Sequence, residues 1–198
     1  MTWLVVGLGN PGPTYAGHRH NVGHMVVDEL ARRAGESFSA PRGMRSETVE
    51  TRLGSAGIGV VAPGAEKVVL CKSRTYMNES GVPVGKLAAF HRIEPSHIVV
   101  VHDELDIDFT QLRLKVGGGD NGHNGLRSIR AHLGTGDFAR VRFGIGRPPG
   151  RQDPADWVLS NFPAAQRTDL EIEVDRAADA VELLINDGLP AAQNRYNS

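Results

Sequence analysis

The stretch that most constrains this chain is Leu4 to Gly23, LVVGLGNPGPTYAGHRHNVG. A short apolar run, Leu4, Val5 and Val6, reads as a buried strand. It stops at Gly7 and gives way to a loop that Gly9, Pro11, Gly12 and Pro13 hold away from helix. The loop carries a tyrosine, two histidines, an arginine and two asparagines. Helical spacing resumes with Val22, Met25, Val26 and Leu30, and Asn21 stands ahead of them as an N-cap type. A strand that empties into a polar, stiffened loop is where an α/β protein keeps its chemistry. His20 is the residue of that loop best suited to serve as an active-site base.

Gly7, Gly9 and Gly12 also match the dinucleotide fingerprint GxGxxG. That motif needs a helix beginning inside the glycines, so that its N-terminus can hold a pyrophosphate. Pro11 and Pro13 bracket the last glycine, and Gly12 before a proline is pushed away from the α region. Arg32 and Arg33 stand where an acidic residue would close the second strand. Only an NADP-type variant stays open, and it is the minor reading.

The 198 residues suit one domain spanning 1–198, and the apolar and charged contents, 40% and 23%, are those of an ordinary soluble protein. A net charge of −1 gives no general basic field, so a nucleic-acid partner must be met by a local patch. The single Cys71 fits a reducing compartment. No apolar run is long enough to cross a membrane, and no secretion signal opens the chain, so the cytoplasm is expected.

The pattern predicts a helix over Val22–Ala34 ended by Gly35, then β segments at Ser46–Leu53, Ile58–Ala62 and Val68–Cys71. Three β segments in a row suggest an antiparallel excursion in an α/β sheet. A helix of about fourteen residues runs to Arg92, and Ile98–Val101 reads as a central parallel strand. Strands at Gln111–Val116 and Phe138–Ile145 flank a short helix, Leu126–Leu133. A long C-terminal helix starts near Pro163 and stops at Gly188 and Pro190, and the tail AAQNRYNS reads as frayed.

Three polar clusters follow strand-like segments: Asn10–Asn21, Met77-Asn78 with His102-Asp103, and Gly117–Gly125. Loops leaving the carboxyl ends of neighbouring strands converge on one crevice, which would gather His20, Asp103, Asn10, Asn78 and Asn124. The set has no good nucleophile: Cys71 sits in an apolar run and no serine occupies a GxSxG elbow. What remains is an imidazole able to take a proton from water, a carboxylate able to fix its tautomer, and amides able to hold a carbonyl or oxyanion. That combination points to water-mediated acyl hydrolysis. Local sequence equally allows Asp103 to cap a turn. His18, His20 and His24 lack a completing ligand, which disfavours metal. GGGDNGHNG reads either as a flexible turn or as an anion cradle, and Lys115, Arg140 and Arg142 as a solvated strand face.

VVGLGNPGPTY, HRHNVG, KSRTYMNESG, HDELDI, KVGGGDNGHNGL and FARVRFGIGRP, collinear from Leu4 to about Pro148, resemble the bacterial peptidyl-tRNA hydrolase family. The resemblance implies hydrolysis of the ester between a peptide and the 3′ ribose of tRNA. It implies His20 as general base, Asp103 as its orienting group, and Asn10, Asn78 and Asn124 as holders of the peptide and the reacting carbonyl. Met77 would line the site, Tyr15 position the tRNA end, and Lys115 and Arg142 clamp the 5′-phosphate. The Arg147–Phe162 segment would form a mobile wall. The implied fold is a single α/β domain, a mixed twisted β-sheet flanked by helices, acting as a monomer without metal or other cofactor. Two positions depart from the family pattern: His18, and Asp120-Asn121, where a His-Gly pair is commoner. The readings set against hydrolysis are a dinucleotide-dependent oxidoreductase and a non-catalytic RNA-binding module.

Overall fold

The first strand, β1 (Thr2–Gly7), is apolar on both faces and therefore lies inside the sheet. Leu4 and Val6 point into one layer of core, Val5 into the other, and all three are fully buried. In the computed structural model, which describes residues 1–197, β1 pairs in parallel with β4 (Glu66–Ser73) on one side and with β5 (Ile98–Glu104) on the other. Beyond β5 lies the parallel strand β7 (Ala139–Gly144), with β6 (Leu112–Val116) antiparallel at the edge. On the far side β2 (Ser46–Gly54) and the two-residue β3 (Gly57–Ile58) add antiparallel strands. The order is β3-β2-β4-β1-β5-β7-β6, so the anticipated antiparallel excursion is the wing formed by β2 and β3.

Helices cover both faces. α1 (Val22–Ala34), α5 (Arg167–Asp187) and α6 (Leu189–Tyr196) pack on the Val5 side, with Val26, Leu30, Val181 and Ala192 buried. α2 (Gly81–His91) and α3 (Asn124–Leu133) cover the Leu4 side through Val84, Leu87, Leu126 and Ile129. A short α4 (Pro154–Val158) stands over the site. This is the mixed α/β architecture expected from the sequence.

Gly7 and Gly9 of the fingerprint serve close packing, and Gly12, at φ 95°, serves the turn. A Cβ on Gly7 would lie 2.1 Å from the Gly23 carbonyl oxygen, so these glycines let α1 lie directly on the end of β1. α1 begins only at Val22, far beyond the motif. Arg33 is bound to Asp175, Asp179 and Glu182 of α5 and is not available to a 2′-phosphate. Both findings overturn the dinucleotide reading.

Several local expectations need correction. The strand expected to run to Ala62 ends at Ile58, because the chain leaves the sheet there and Val61 is 85% exposed. The expected fourteen-residue helix is a 3-10 turn, Met77–Glu79, followed by α2, closed by Arg92 at φ 55°. Asn21 occupies the N-cap position of α1 but makes no capping bond. Its side chain instead accepts from Asn10 N–H (3.0 Å) and donates to Asn10 C=O (2.9 Å). The tail is not frayed as far as it is described: α6 is docked, and the Asn197 amide bonds Leu114 N–H and C=O, covering the edge of β6. Ser198 lies outside the described residues.

Candidate active site

The parallel strands β1, β4 and β5 present their carboxyl ends together, and the loops that leave them meet around one cavity of about 430 Å³. Asn10, His20, Met77, Asn78, Asp103, His123 and Asn124 all line it, so the convergence expected of the three polar clusters occurs. A wider cleft of about 740 Å³ lies elsewhere, between β2 and the α5–α6 turn, and contains none of these residues. The convergence of polar groups, not the volume, marks the site.

Asp103 is at its centre. It is the penultimate residue of β5, 3% exposed, and it caps no turn. Its Oδ2 lies 2.8 Å from His20 Nδ1 and its Oδ1 2.8 Å from His123 Nε2. Burial alone would raise its pKa, but the two imidazoles outweigh burial and hold the carboxyl well below the usual range. His20 sits in a 3-10 turn, Arg19–Asn21, at the mouth of α1. Burial disfavours its charged form, yet the charge and hydrogen bond of Asp103 prevail and its pKa is raised.

Hydrogen bonding fixes the tautomers. His123 is the N-cap of α3, and its Nδ1 accepts from the backbone N–H of Gly125 (3.1 Å) and Leu126 (3.4 Å). That nitrogen is therefore unprotonated, and Nε2–H donates to Asp103. His20 in contrast gives its Nδ1–H to Asp103, which leaves the Nε2 lone pair for a ligand. The role of His123 was missed from the sequence. Its signal was present, a histidine directly before a helical segment, but its bond to a strand end twenty residues earlier was not. The neighbouring His102 is no rival base: it is buried, its pKa is pushed down to about 3, and its Nδ1 donates to the Asp103 carbonyl.

His20, Asp103 and His123 place three potential ligand atoms within 4.8 Å of one another. The donor set does not suit a cation. His123 would have to give up Nε2–H while its other nitrogen still faces two N–H donors, leaving an imidazolate. His18 and His24 are not in the cluster.

The amides are held unequally. Asn10 is buried, and its Oδ1 accepts from Met77 N–H at 2.7 Å, so Nδ2 is the group left to donate. Asn78 and Asn124 are exposed on the rim, and Met77 is buried in the wall. Tyr15 lies outside the cavity, edge-on to the exposed Tyr76 at 6.0 Å, and Tyr76 lines it. The Arg147–Phe162 segment does form a wall: Pro154, Ala155, Val158 and Leu159 face His20 and the glycine loop. Arg19 fastens that wall to the Arg19–Asn21 turn, with its guanidinium 3.5 Å from the Trp157 ring and donating to Ser160 Oγ and the Asn161 carbonyl. No serine, threonine, cysteine or lysine lines the cavity among the described residues, and Cys71 is buried, its pKa pushed up to about 12.

Lys115 and Arg142 lie on β6 and β7, outside the cavity. Arg142 is paired to the nearly buried Glu104, 3.0 Å away, a partner the sequence did not reveal. Burial and then Arg142 and Arg140 lower the pKa of Lys115. The expected solvated face is only partly so. Arg140 is 1% exposed, and its guanidinium is spent on the carbonyls of Gly118, Gly119 and Gly136. Those carbonyls anchor one side of the glycine loop, which is therefore not a free turn.

An α/β fold whose cavity holds a carboxylate-bound imidazole and converging amides, with no hydroxyl, thiol or amine of Ser, Thr, Cys or Lys among the described residues lining it, is that of a hydrolase. The sequence profile of the peptidyl-tRNA hydrolases matches residues 4–198. The chain is 65% identical over 197 residues to the peptidyl-tRNA hydrolase of Cutibacterium acnes, covering 100% of this chain and 98% of that protein. It is 56% identical over 195 residues to that of Mycolicibacterium smegmatis, covering 98% and 97%. The solved peptidyl-tRNA hydrolase of Acinetobacter baumannii superposes with a TM-score of 0.85 at 35% identity, covering 98% of this chain and 95% of that one. The chain belongs to the peptidyl-tRNA hydrolase family.

Proposed function

We propose that this chain hydrolyses the ester that joins a peptide to the 3′ ribose of tRNA, freeing the tRNA for reuse in translation. The observation that carries the reading is the Asp103–His20 pair, 2.8 Å apart, with the imidazole Nε2 left open on a cavity lined by amides. His20 Nε2 takes a proton from water as the water oxygen attacks the ester carbonyl. The Nδ2 groups of Asn10, Asn78 and Asn124 supply neutral donors for the substrate carbonyls and the oxyanion that forms. Asp103 stabilises the imidazolium. Collapse of the tetrahedral intermediate breaks the carbon–oxygen bond to the ribose, and His20 returns the proton to the leaving oxygen. Met77 packs beside the peptide, and Tyr15 with Tyr76 flanks the path of the acceptor end.

Lys115 and Arg142 receive the tRNA 5′-phosphate. Because Arg142 rests on Glu104, phosphate competes with a carboxylate for it, which favours weak binding and turnover. The chain works as one unit, residues 1–198, as a monomer in the cytoplasm. One sheet with helices on both faces supports the single unit, and no helix among the described residues is long and apolar enough to cross a membrane.

Release of peptide from peptidyl-tRNA by the purified protein, in the presence of chelator, tests the reading. Cleavage that survives chelation and is lost in His20→Ala supports it. Tight tRNA binding without cleavage would leave only an RNA-binding module.

A further inference from the structure

The glycine loop, Gly117–His123, brings His123 into the site and leads to Asn124, and Arg140 anchors only its first half. Gly117, Gly118 and Gly122 all have positive φ. Within it Asn121 also adopts the left-handed region, φ 49°, which asparagine tolerates better than most residues. The Asn121 side chain has a definite task. Its Nδ2 donates to Glu104 Oε2 at 2.9 Å and to Asp106 Oδ2 at 2.8 Å. The other oxygen of Asp106 accepts from Arg147 Nε at 2.7 Å, and Arg147 opens the segment that becomes the opposite wall of the cavity. The other oxygen of Glu104 holds Arg142. One amide thus joins the glycine loop to the Arg147 segment through Asp106, just past β5, and to Arg142 of β7 through Glu104.

We propose that Asn121 is a positioning residue: its amide fastens the glycine loop to the Arg147 segment through Asp106, with Glu104 bracing it from the end of β5, and so keeps the substrate cleft closed at one end. The inference rests on the hydrolase reading and deepens it. It also gives a physical role to a position where this chain departs from the glycine commoner in the family pattern. A loop that must otherwise order on binding lowers apparent affinity by the fraction of time it is competent. Fastening it beforehand lowers KM and leaves the chemical step alone, because substrate at saturation orders the loop in either case.

Three variants read this out in peptidyl-tRNA cleavage. Asn121→Gly accommodates the left-handed backbone and deletes the amide, while Asn121→Asp controls for the added backbone freedom of glycine. Asn121→Asp keeps the shape and turns the donor into a third carboxylate facing Glu104 and Asp106. Adding Asp106→Asn to Asn121→Asp exchanges donor and acceptor. We expect Asn121→Gly to raise KM roughly three- to tenfold with kcat within about twofold, as loss of one bridging amide implies. Asn121→Asp should raise KM further, and Asp106→Asn should recover most of that loss. An unchanged KM in Asn121→Gly, a fall confined to kcat, or an Asn121→Asp no worse than Asn121→Gly would overturn the proposal. Amide hydrogen exchange supplies a readout that needs no activity. Residues 117–123 and 146–160 should both exchange faster in Asn121→Gly, and unchanged exchange would equally overturn it. A wild-type protein that cleaves nothing would instead refute the hydrolase reading and leave exchange to judge the latch.

Discussion

Asp103 holds one imidazole on each oxygen, and both closest contacts are 2.8 Å. Yet the two rings do different work, and the far nitrogen explains why. His123 spends Nδ1 on the first amides of α3, so its ring is a fixture that caps a helix and steadies the carboxylate. His20 lines the cavity and has no such bond among the described residues, so its Nε2 is left for the base role proposed above. A carboxylate between two imidazoles does not by itself say which is the base. The hydrogen-bond partner on the opposite side of each ring is what favours His20.

Substitutions at the three residues separate these roles. His20→Ala removes the proton acceptor and should lower kcat by about 10²- to 10⁴-fold, as loss of a general base does; initial rates of peptide release measure it. A rate within tenfold of wild type would assign the base elsewhere. Asp103→Asn should be comparably harmful, costing up to about 10⁴-fold by analogy with the orienting carboxylate of a serine-hydrolase triad. An asparagine offers one acceptor oxygen to two rings that both donate, so one must take the wrong tautomer.

The pH profile carries its own sign. His20 must be neutral to act, so activity falls as pH drops through its raised pKa, and the acid limb of kcat/KM lies above the ordinary histidine value. In Asp103→Asn the carboxylate charge is gone and burial remains, so the limb moves to lower pH. A limb that stays in place would detach His20 from the profile.

His123→Ala should cost about tenfold in kcat, since it steadies the orienting group without touching the reacting proton. It should also remove about 1 kcal/mol of stability through the lost cap, seen in denaturant unfolding. A loss equal to that of His20→Ala would erase the distinction between the rings. The smallest effect belongs to the periphery. Lys115→Ala should reduce the slope of log affinity against log salt by about 0.7 to 0.9, the contribution of one phosphate contact. An unchanged slope would remove Lys115 from the phosphate site.

Much of this was legible in the chain because apolar runs and glycine–proline breaks are local signals. β1, β5, α1 and the long α5 were read from them, and so was the gathering of Asn10, His20, Asp103 and Asn124 at the strand ends. What escaped depends on contacts between distant segments. Nothing near Asn21 says that its amide will secure Asn10 instead of capping α1. Nothing near Arg140 says that three carbonyls of two separate loops will bury it. The Ile58–Ala62 run was misread because β character was taken for pairing: β2 continues alongside, but Gly59 at φ 88° turns the chain off it and leaves Val60 and Val61 exposed. Asn197 looked like the end of a loose tail because the β6 edge it covers is more than eighty residues away in sequence.

Nitrogen-15 NMR of the histidine rings above the His20 titration addresses the assignment of the base most directly. The account predicts His20 protonated on Nδ1 with an unprotonated Nε2, and His123 in the opposite tautomer, Nε2 protonated and Nδ1 bare. A His20 ring that carries its proton on Nε2 would contradict it, for that nitrogen would then have no lone pair with which to take a proton from water.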